Sequence, residues 1–205
     1  MGANGLSNGP IKRKTLKVTY KGAFDLKKLY QFLQEWLLDE GFSADQSKYY
    51  APASGKMWET FYWERRSAQG FNDYIIQWRL KKKPDEQSSS WFEYKLALDF
   101  LGLAIAKKDI MHEGKKLGAY NGELNIDISS SIILDPNNLW DRESFLGKFT
   151  SVFASRTIRK EIKYHKDIVD DIAFRLQEAI KNFIGLNTFG DYGEPFHPEK
   201  GFGWA

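Results

Sequence analysis

Apolar residues recur at every second position in run after run, and then, near the C-terminal end, at every third or fourth. A chain patterned in this way must build a sheet with one buried face and lay a helix against it, because strands repeat every two residues and helices every 3.6. The clearest runs are Tyr74, Ile76, Trp78 and Leu80; Phe92, Tyr94, Leu96, Leu98 and Phe100; and Leu124, Ile126, Ile128, Ser130, Ile132 and Leu134. A shorter one, Leu16, Val18 and Tyr20, opens the chain, and aromatic-rich Trp58 to Arg66 adds another strand. The helical stripe is Ile168, Ile172, Leu176, Ala179, Ile180 and Phe183, stopping at Gly185.

Turn and cap residues divide these runs. Gly22 ends the first, Asp25 is placed to cap a helix, and Leu26, Leu29, Tyr30, Leu33, Trp36 and Leu37 give that helix its apolar face up to Gly41. Ser43 to Lys56 reads as a loop, Ser67 to Asp73 as the long loop of a hairpin, and Lys83 to Ser90 as a Pro/Asp/Ser linker. At Phe100–Leu101 the phase slips, so that Leu101, Leu103 and Ile105 become the alternating set. A β-bulge near Gly102 is expected to keep both halves facing the core. Glu113–Gly114 is the expected next turn. After Asp135–Pro136, Phe145, Phe149, Val152 and Phe153 read as a first helical half capped by Asp141 or Ser144. Ser155 to Lys166 fits a continuous helix or a kinked junction.

The expected fold is therefore α+β: an antiparallel sheet, one N-terminal helix, and a long C-terminal helix packed across the sheet. Residues 1–14 are expected to form a flexible arm, 15–186 a single domain, and 187–205 an irregular Gly/Pro/aromatic tail. The element order from Thr15 to Ile184 resembles the helix-grip topology of the START-like and polyketide-cyclase-like superfamily. That resemblance implies a sheet wrapped around the C-terminal helix and an apolar cavity between them. The stretch Tyr20–Lys21–Gly22–Ala23–Phe24–Asp25–Leu26, with Leu29–Tyr30 and Trp36, is also similar to uncharacterised archaeal hypothetical proteins, which implies no function.

Composition narrows the chemistry. There is no Cys, which excludes disulfides, thiol nucleophiles and thiolate metal sites and fits a reducing, cytoplasmic setting. The Gly/Asn/Ser-rich start, Met1 to Pro10, reads as neither a signal peptide nor an anchor. No window approaches the roughly 18 apolar residues of a spanning helix. A net charge of +3, from 30 basic and 27 acidic residues, neither demands nor forbids a polyanionic partner.

The three histidines, His112, His165 and His197, are scattered. His112 and His197 read as solvated. His165 precedes Asp167, Asp170 and Asp171 at spacings that do not suit a metal site on one helix face, so the acidic run reads as capping and solvation. No nucleophile elbow, phosphate loop or dinucleotide fingerprint occurs. Glu64, Asp99, Glu123 and Asp127 are carboxylates that the fold might bring together, although alternation puts Asp99 and Asp127 opposite the apolar residues. No catalytic residue, metal ligand or cofactor is assigned.

Three binding readings follow. A non-catalytic interaction protein, part of an assembly through a protein partner or self-association, would use the termini and a basic stripe of Arg156, Arg159, Lys160 and Lys163. A carrier of an apolar small molecule would line its cavity with Trp78, Tyr94, Leu96, Ile126 and Leu176. A nucleic-acid-binding protein would use the basic stripe, together with Trp58, Phe61, Tyr62 and Trp63 near Arg65–Arg66, at least half of them expected to be buried.

Overall fold

The structure is a computed structural model that describes residues 10–44, 58–84, 91–112, 115–136 and 159–185. The strands are β1 (Ile11–Phe24), β2 (Ser43–Ala44), β3 (Glu59–Arg66), β4 (Phe71–Lys82), β5 (Phe92–His112) and β6 (Lys115–Leu134); the helices are α1 (Leu26–Asp39) and α2 (Arg159–Phe183). All strand pairs are antiparallel, in the order β1-β6-β5-β4, with β2 and β3 both paired to the far side of β4. The fold is α+β, as the pattern of apolar periods requires. The expected first half-helix of Asp141 to Phe153, the Glu113–Gly114 turn and the tail 187–205 lie outside the described residues.

One face of the sheet carries the core. Val18, Ile76, Trp78, Leu80, Leu96, Leu98, Phe100, Leu124, Ile126 and Ile128 point the same way by strand alternation and are all buried. Against them lie Leu29, Leu33 and Leu37 of α1, spaced every four residues, and Ile172, Leu176 and Ile180 of α2 with the same spacing. Both helices thus cover the same face. Phe32 of α1 stacks on Phe183 of α2 with ring centroids 4.8 Å apart.

Local chemistry sets the ends of α1. The Asp25 side chain accepts a hydrogen bond from the Lys28 amide at 3.0 Å, which satisfies one of the unpaired donors of the first turn. At the other end Gly41 takes φ +81, so its amide reaches the Leu38 carbonyl and the Phe42 amide reaches Leu37, both at 2.9 Å. A partly buried chain of polar groups then pins α1 to the sheet. The Trp78 indole N–H donates to the Tyr30 hydroxyl at 3.0 Å, and Tyr30 donates to the Glu59 carboxylate. Burial, reinforced by that acceptor, pushes the Tyr30 hydroxyl pKa well up.

The long strands depart from the sequence reading in two places. β1 begins at Ile11, so residues 11–14, expected in an arm, belong to the sheet. Between Lys12 and Thr15 the register slips by one residue, leaving Arg13 and Lys14 opposite Ser130. The extra residue turns Arg13 to the helix side, where its Nε donates to Asp170 of α2 at 2.9 Å. Composition could not reveal this, because a bulge is a property of two paired strands.

The second departure is the bulge in β5. It lies between Leu103 and Ala106 rather than at Gly102, so only Ile105 turns into the core, while Leu101 and Leu103 stay on the opposite face with more than a third of their surface exposed. Two features locate it. The Asp73 carboxylate of β4 accepts the Ala104 amide at 2.8 Å, which supports Ala104 at φ +51, and Arg65 of β3 donates to Asp73 at 3.0 Å. The backbone amide first, and Arg65 second, hold the Asp73 carboxyl below the usual carboxylate range. On the other side Gly122 faces the bulge, and a methyl group there would stand 2.9 Å from the carbonyl oxygens of Leu103 and Ala104.

Gly122→Ala is therefore expected to cost about 1–3 kcal/mol of unfolding free energy, because the clash is with backbone that cannot swing away. Urea unfolding of the variant beside the parent checks it. Asp73→Asn is expected to lower stability at neutral pH and to flatten its fall in acid. The parent's Asp73 contribution is present above the unfolded carboxyl pKa, about 3.9, and is lost as pH falls through the depressed folded value.

Candidate functional site

The residues expected to line a cavity are placed first. Trp78, Leu96, Ile126 and Leu176 belong to one packed cluster, whereas Tyr94 sits in a second with Phe92, Ile132 and Val169. Trp78 is enclosed by edge-on rings of Tyr30, Trp58 and Phe100 with centroids 4.6 to 6.0 Å away. Under α1, the apolar space bounded by Phe24, Leu29, Tyr30, Phe100 and Ile105 amounts to about 10 Å³. That is the room of about one water molecule. None of the five residues expected to line a cavity borders that space.

The second cluster holds a polar pair that sequence spacing missed. His165, set aside as a metal ligand on its spacing to the acidic run, is 4% exposed in the first half of α2. Its Nδ1 lies 2.6 Å from the Tyr94 hydroxyl, and its ring packs on Phe92 at a centroid distance of 3.9 Å. Burial pushes the imidazole pKa down against a smaller upward pull from Glu161, so the neutral ring accepts the Tyr94 proton. The signal available in sequence was position: His165, Val169, Ile172 and Leu176 continue one stripe at intervals of four, three and four.

The acidic run is likewise corrected. Asp170 pairs with Arg13, and Asp171 accepts from Arg175 at 3.0 Å while Arg175 also pairs with Glu40 of α1. Asp170 ties α2 to β1 because the fold brings a distant cation to it, whereas exposed Asp171 pairs one helical turn along with Arg175, which itself reaches Glu40 of α1. Of the basic stripe, Arg159, Lys160 and Lys163 are exposed in the first turns of α2, and Arg156 lies outside the described residues.

Among the described residues, the face of the sheet turned away from α1 and α2 carries charged, hydroxyl and apolar side chains. Strand register arranges them in rows across β3, β4, β5, β6 and β1. One row is Trp63, Ile75, Leu101, Asn125 and Thr19; the next is Phe61, Gln77, Asp99, Asp127 and Lys17. Beyond these come Arg79, Ala97, Ser129 and Thr15, then Lys81, Lys95, Ser131 and Lys12. Phe61, Trp63, Leu101 and Leu103 form an apolar patch at the β3 side, each between 37% and 46% exposed.

Of the four aromatics near Arg65–Arg66, only Trp58 is buried, which overturns the expectation that at least half are. Among the described residues β3 pairs only with β4. Even Tyr62, on the helix side with its ring 6.4 Å from that of Tyr74, is half exposed. Alternation sorts side chains between faces, but burial requires something to lie over them.

The four carboxylates singled out as candidates do not converge. Asp99 and Asp127 are direct cross-strand partners on the helix-free face, where Arg79 donates to Asp99 at 2.7 Å and the Lys17 ammonium stands 3.9 Å from Asp127. Glu123 shares that face, paired with Lys21 at 3.0 Å, while Glu64 lies on the other, bonded to Arg66 and Asn72. Arg66 chiefly holds the Glu64 carboxyl below the ordinary range; for Glu123, Asn125 contributes most and Lys21 next. These are ion pairs of an exposed sheet surface. Among the described residues no group of three or more acidic or imidazole side chains is gathered as a metal would need, and no helix is long and apolar enough to cross a membrane.

The helix-free face also holds a groove of about 360 Å³ over β1, β6, β5 and β4. Lys12, Arg79 and Lys95 supply its cations, and Thr15, Ser129 and Ser131 supply hydroxyls. Thr15 and Ser129 are hydrogen-bonded to each other at 3.0 Å across the strands. No protein-family model and no curated protein matches the chain.

The Tyr94–His165 pair generates two expectations. Tyr94→Phe leaves a buried ring nitrogen without its donor and is expected to cost about 1–3 kcal/mol by chemical denaturation. Because the folded pKa of His165 lies below the unfolded value near 6.5, the unfolded chain binds the proton first as pH falls. Stability from the neutral ring is complete above about pH 7 and declines through pH 6.5 toward the folded value. Melting temperature between pH 7.5 and 5 should fall less in His165→Gln than in the parent.

Proposed function

We propose that this chain is a non-catalytic binding protein whose contact surface is the helix-free face of its sheet. The observation that carries the reading is the exposed apolar patch of Phe61, Trp63, Leu101 and Leu103 on a face that neither helix covers. Scattered exposed apolar side chains are ordinary, but these four stand on β3 and β5, either side of β4, with Trp63, Ile75 and Leu101 in one cross-strand row, which is how a contact surface is built. Phe61 and Trp63 add large rings with little side-chain entropy to lose on binding. The long, ion-paired sheet supplies a rigid platform for them.

The test compares the parent with a Phe61→Ser/Trp63→Ser chain, both purified gently from the protein's own host and analysed by native mass spectrometry. The parent should carry a bound species or assemble, and the variant should be bare and monomeric. Its unfolding free energy should stay within about 1 kcal/mol of the parent's, because both rings are already partly in water. A parent that is bare and monomeric over a wide concentration range, or a bound species that the variant retains, would falsify the reading.

A further inference from the structure

We propose that β3 is a self-pairing edge: two copies of this chain join antiparallel through it, about a twofold axis at Trp63, and carry the sheet and its helix-free face from one copy into the other. The inference rests on the binding-face reading and names the partner as a second copy of the chain.

The first argument compares the two ends of the sheet. β1, at one end, carries Lys12, Lys14, Lys17 and Lys21, and Gln177 of α2 donates to the Lys17 carbonyl at 3.0 Å. Lysines and a covering side chain keep an exposed edge from pairing with another strand. β3, beyond β4 at the other end, has neither Lys nor Pro, and among the described residues only β4 pairs with it. Its rings stand out on both faces, Phe61 and Trp63 on one and Tyr62 on the other, between 41% and 50% exposed.

Hydrogen-bond phase is the second argument. The Ser67 amide donates to the Phe71 carbonyl at 2.9 Å, closing the β3–β4 hairpin. Antiparallel pairs alternate between bonded and unbonded, so Arg65, Trp63 and Phe61 turn their backbone groups toward β4, and Tyr62 and Glu64 turn theirs outward. The register with β4 is regular from Phe61 to Arg66 and slips only between Glu59 and Phe61. A twofold at Trp63 lays this regular stretch against itself, so that the outward groups of Tyr62 bond those of Glu64 in the second copy, and the reverse. Arg65 then faces the ring of Phe61 across the axis, and the Tyr62 hydroxyl faces a Glu64 carboxylate, a contact made within the chain at 3.3 Å. An axis at Glu64 would set two carboxylates opposite each other, and an axis at Tyr62 would put Glu64 against the bulge at Thr60. With the axis at Trp63, the row Leu101, Ile75, Trp63 runs on into Trp63, Ile75 and Leu101 of the second copy, and the apolar patch becomes continuous across both.

Sedimentation velocity of the full chain from about 1 to about 300 μM tests the proposal, because an edge of 8 residues makes a small interface with a dissociation constant on the order of micromolar. The parent should pass from monomer to dimer across that range. Tyr62→Pro removes an outward N–H without taking a bond from β4, and should weaken dimerisation about tenfold or more. The chain has no Cys of its own, so a single introduced thiol reports the register. Mild oxidation should cross-link Trp63→Cys to its counterpart, whose Cα lies about 4.5 Å away, and leave Phe61→Cys, about 13 Å from its counterpart, uncross-linked. A chain that stays monomeric throughout, a dimer that Tyr62→Pro leaves intact, or equal cross-linking of the two Cys variants overturns it. If self-association fails while the host-purified parent carries a species that Phe61→Ser/Trp63→Ser loses, the β3 pairing falls and the binding face stands.

Discussion

The packing of α1 on one face of a long twisted sheet depends on the bulge at Leu103–Ala106. A strand of the length of β5 twists steadily, and an unbroken alternation would carry Ile105 to the far side from the core that the first half of the strand serves. The extra residue restores the phase. It also creates a donor, the Ala104 amide, that the β4 ladder cannot satisfy in register, and Asp73 supplies the acceptor. Arg65 then fixes Asp73, so β3, β4 and β5 are locked at the same point, and on the other flank Gly122 lets β6 approach. Ile105, Phe100 and Leu124 can then meet Leu29 and Leu33 of α1.

A second bulge serves α2 in the same way. By turning Arg13 to the helix side it produces an ion pair with Asp170, five residues along α2 from the His165–Tyr94 contact. The interior of this protein is thus apolar with a few polar pegs, each between elements distant in sequence: Tyr30 with Glu59 and Trp78, Asp73 with Ala104, Tyr94 with His165. Such groups contribute modestly as net bonds but strongly as constraints, because breaking one leaves a buried partner unsatisfied.

The opposite face follows a different logic. Its rows alternate charge and hydroxyl groups toward β1, and apolar groups toward β3. Asp99 and Asp127, placed opposite each other, are tolerated because Arg79 and Lys17 flank them. The result is a surface with a cationic end and an aromatic end, which is the physical content of the proposed function.

Period-two alternation in the runs around Trp78, Leu96 and Ile126, and the four-residue spacing of Leu29, Leu33 and Leu37, were enough to establish an antiparallel sheet with helices on one face. The capping of α1 was equally legible, since Asp25 and Gly41 act on amides and carbonyls within a few residues of themselves. Phase slips were visible in sequence but not their place: Leu101 and Leu103 fit the core period as well as Ile105 does, and only pairing with Asp73 and Gly122 decided which one turned inward. Tertiary structure alone settled the rest, including the burial of His165, the partner of Asp170, and the exposure of Phe61 and Trp63. Alternation tells which face a side chain takes; whether that face meets protein or water depends on what the distant parts of the chain bring to lie over it.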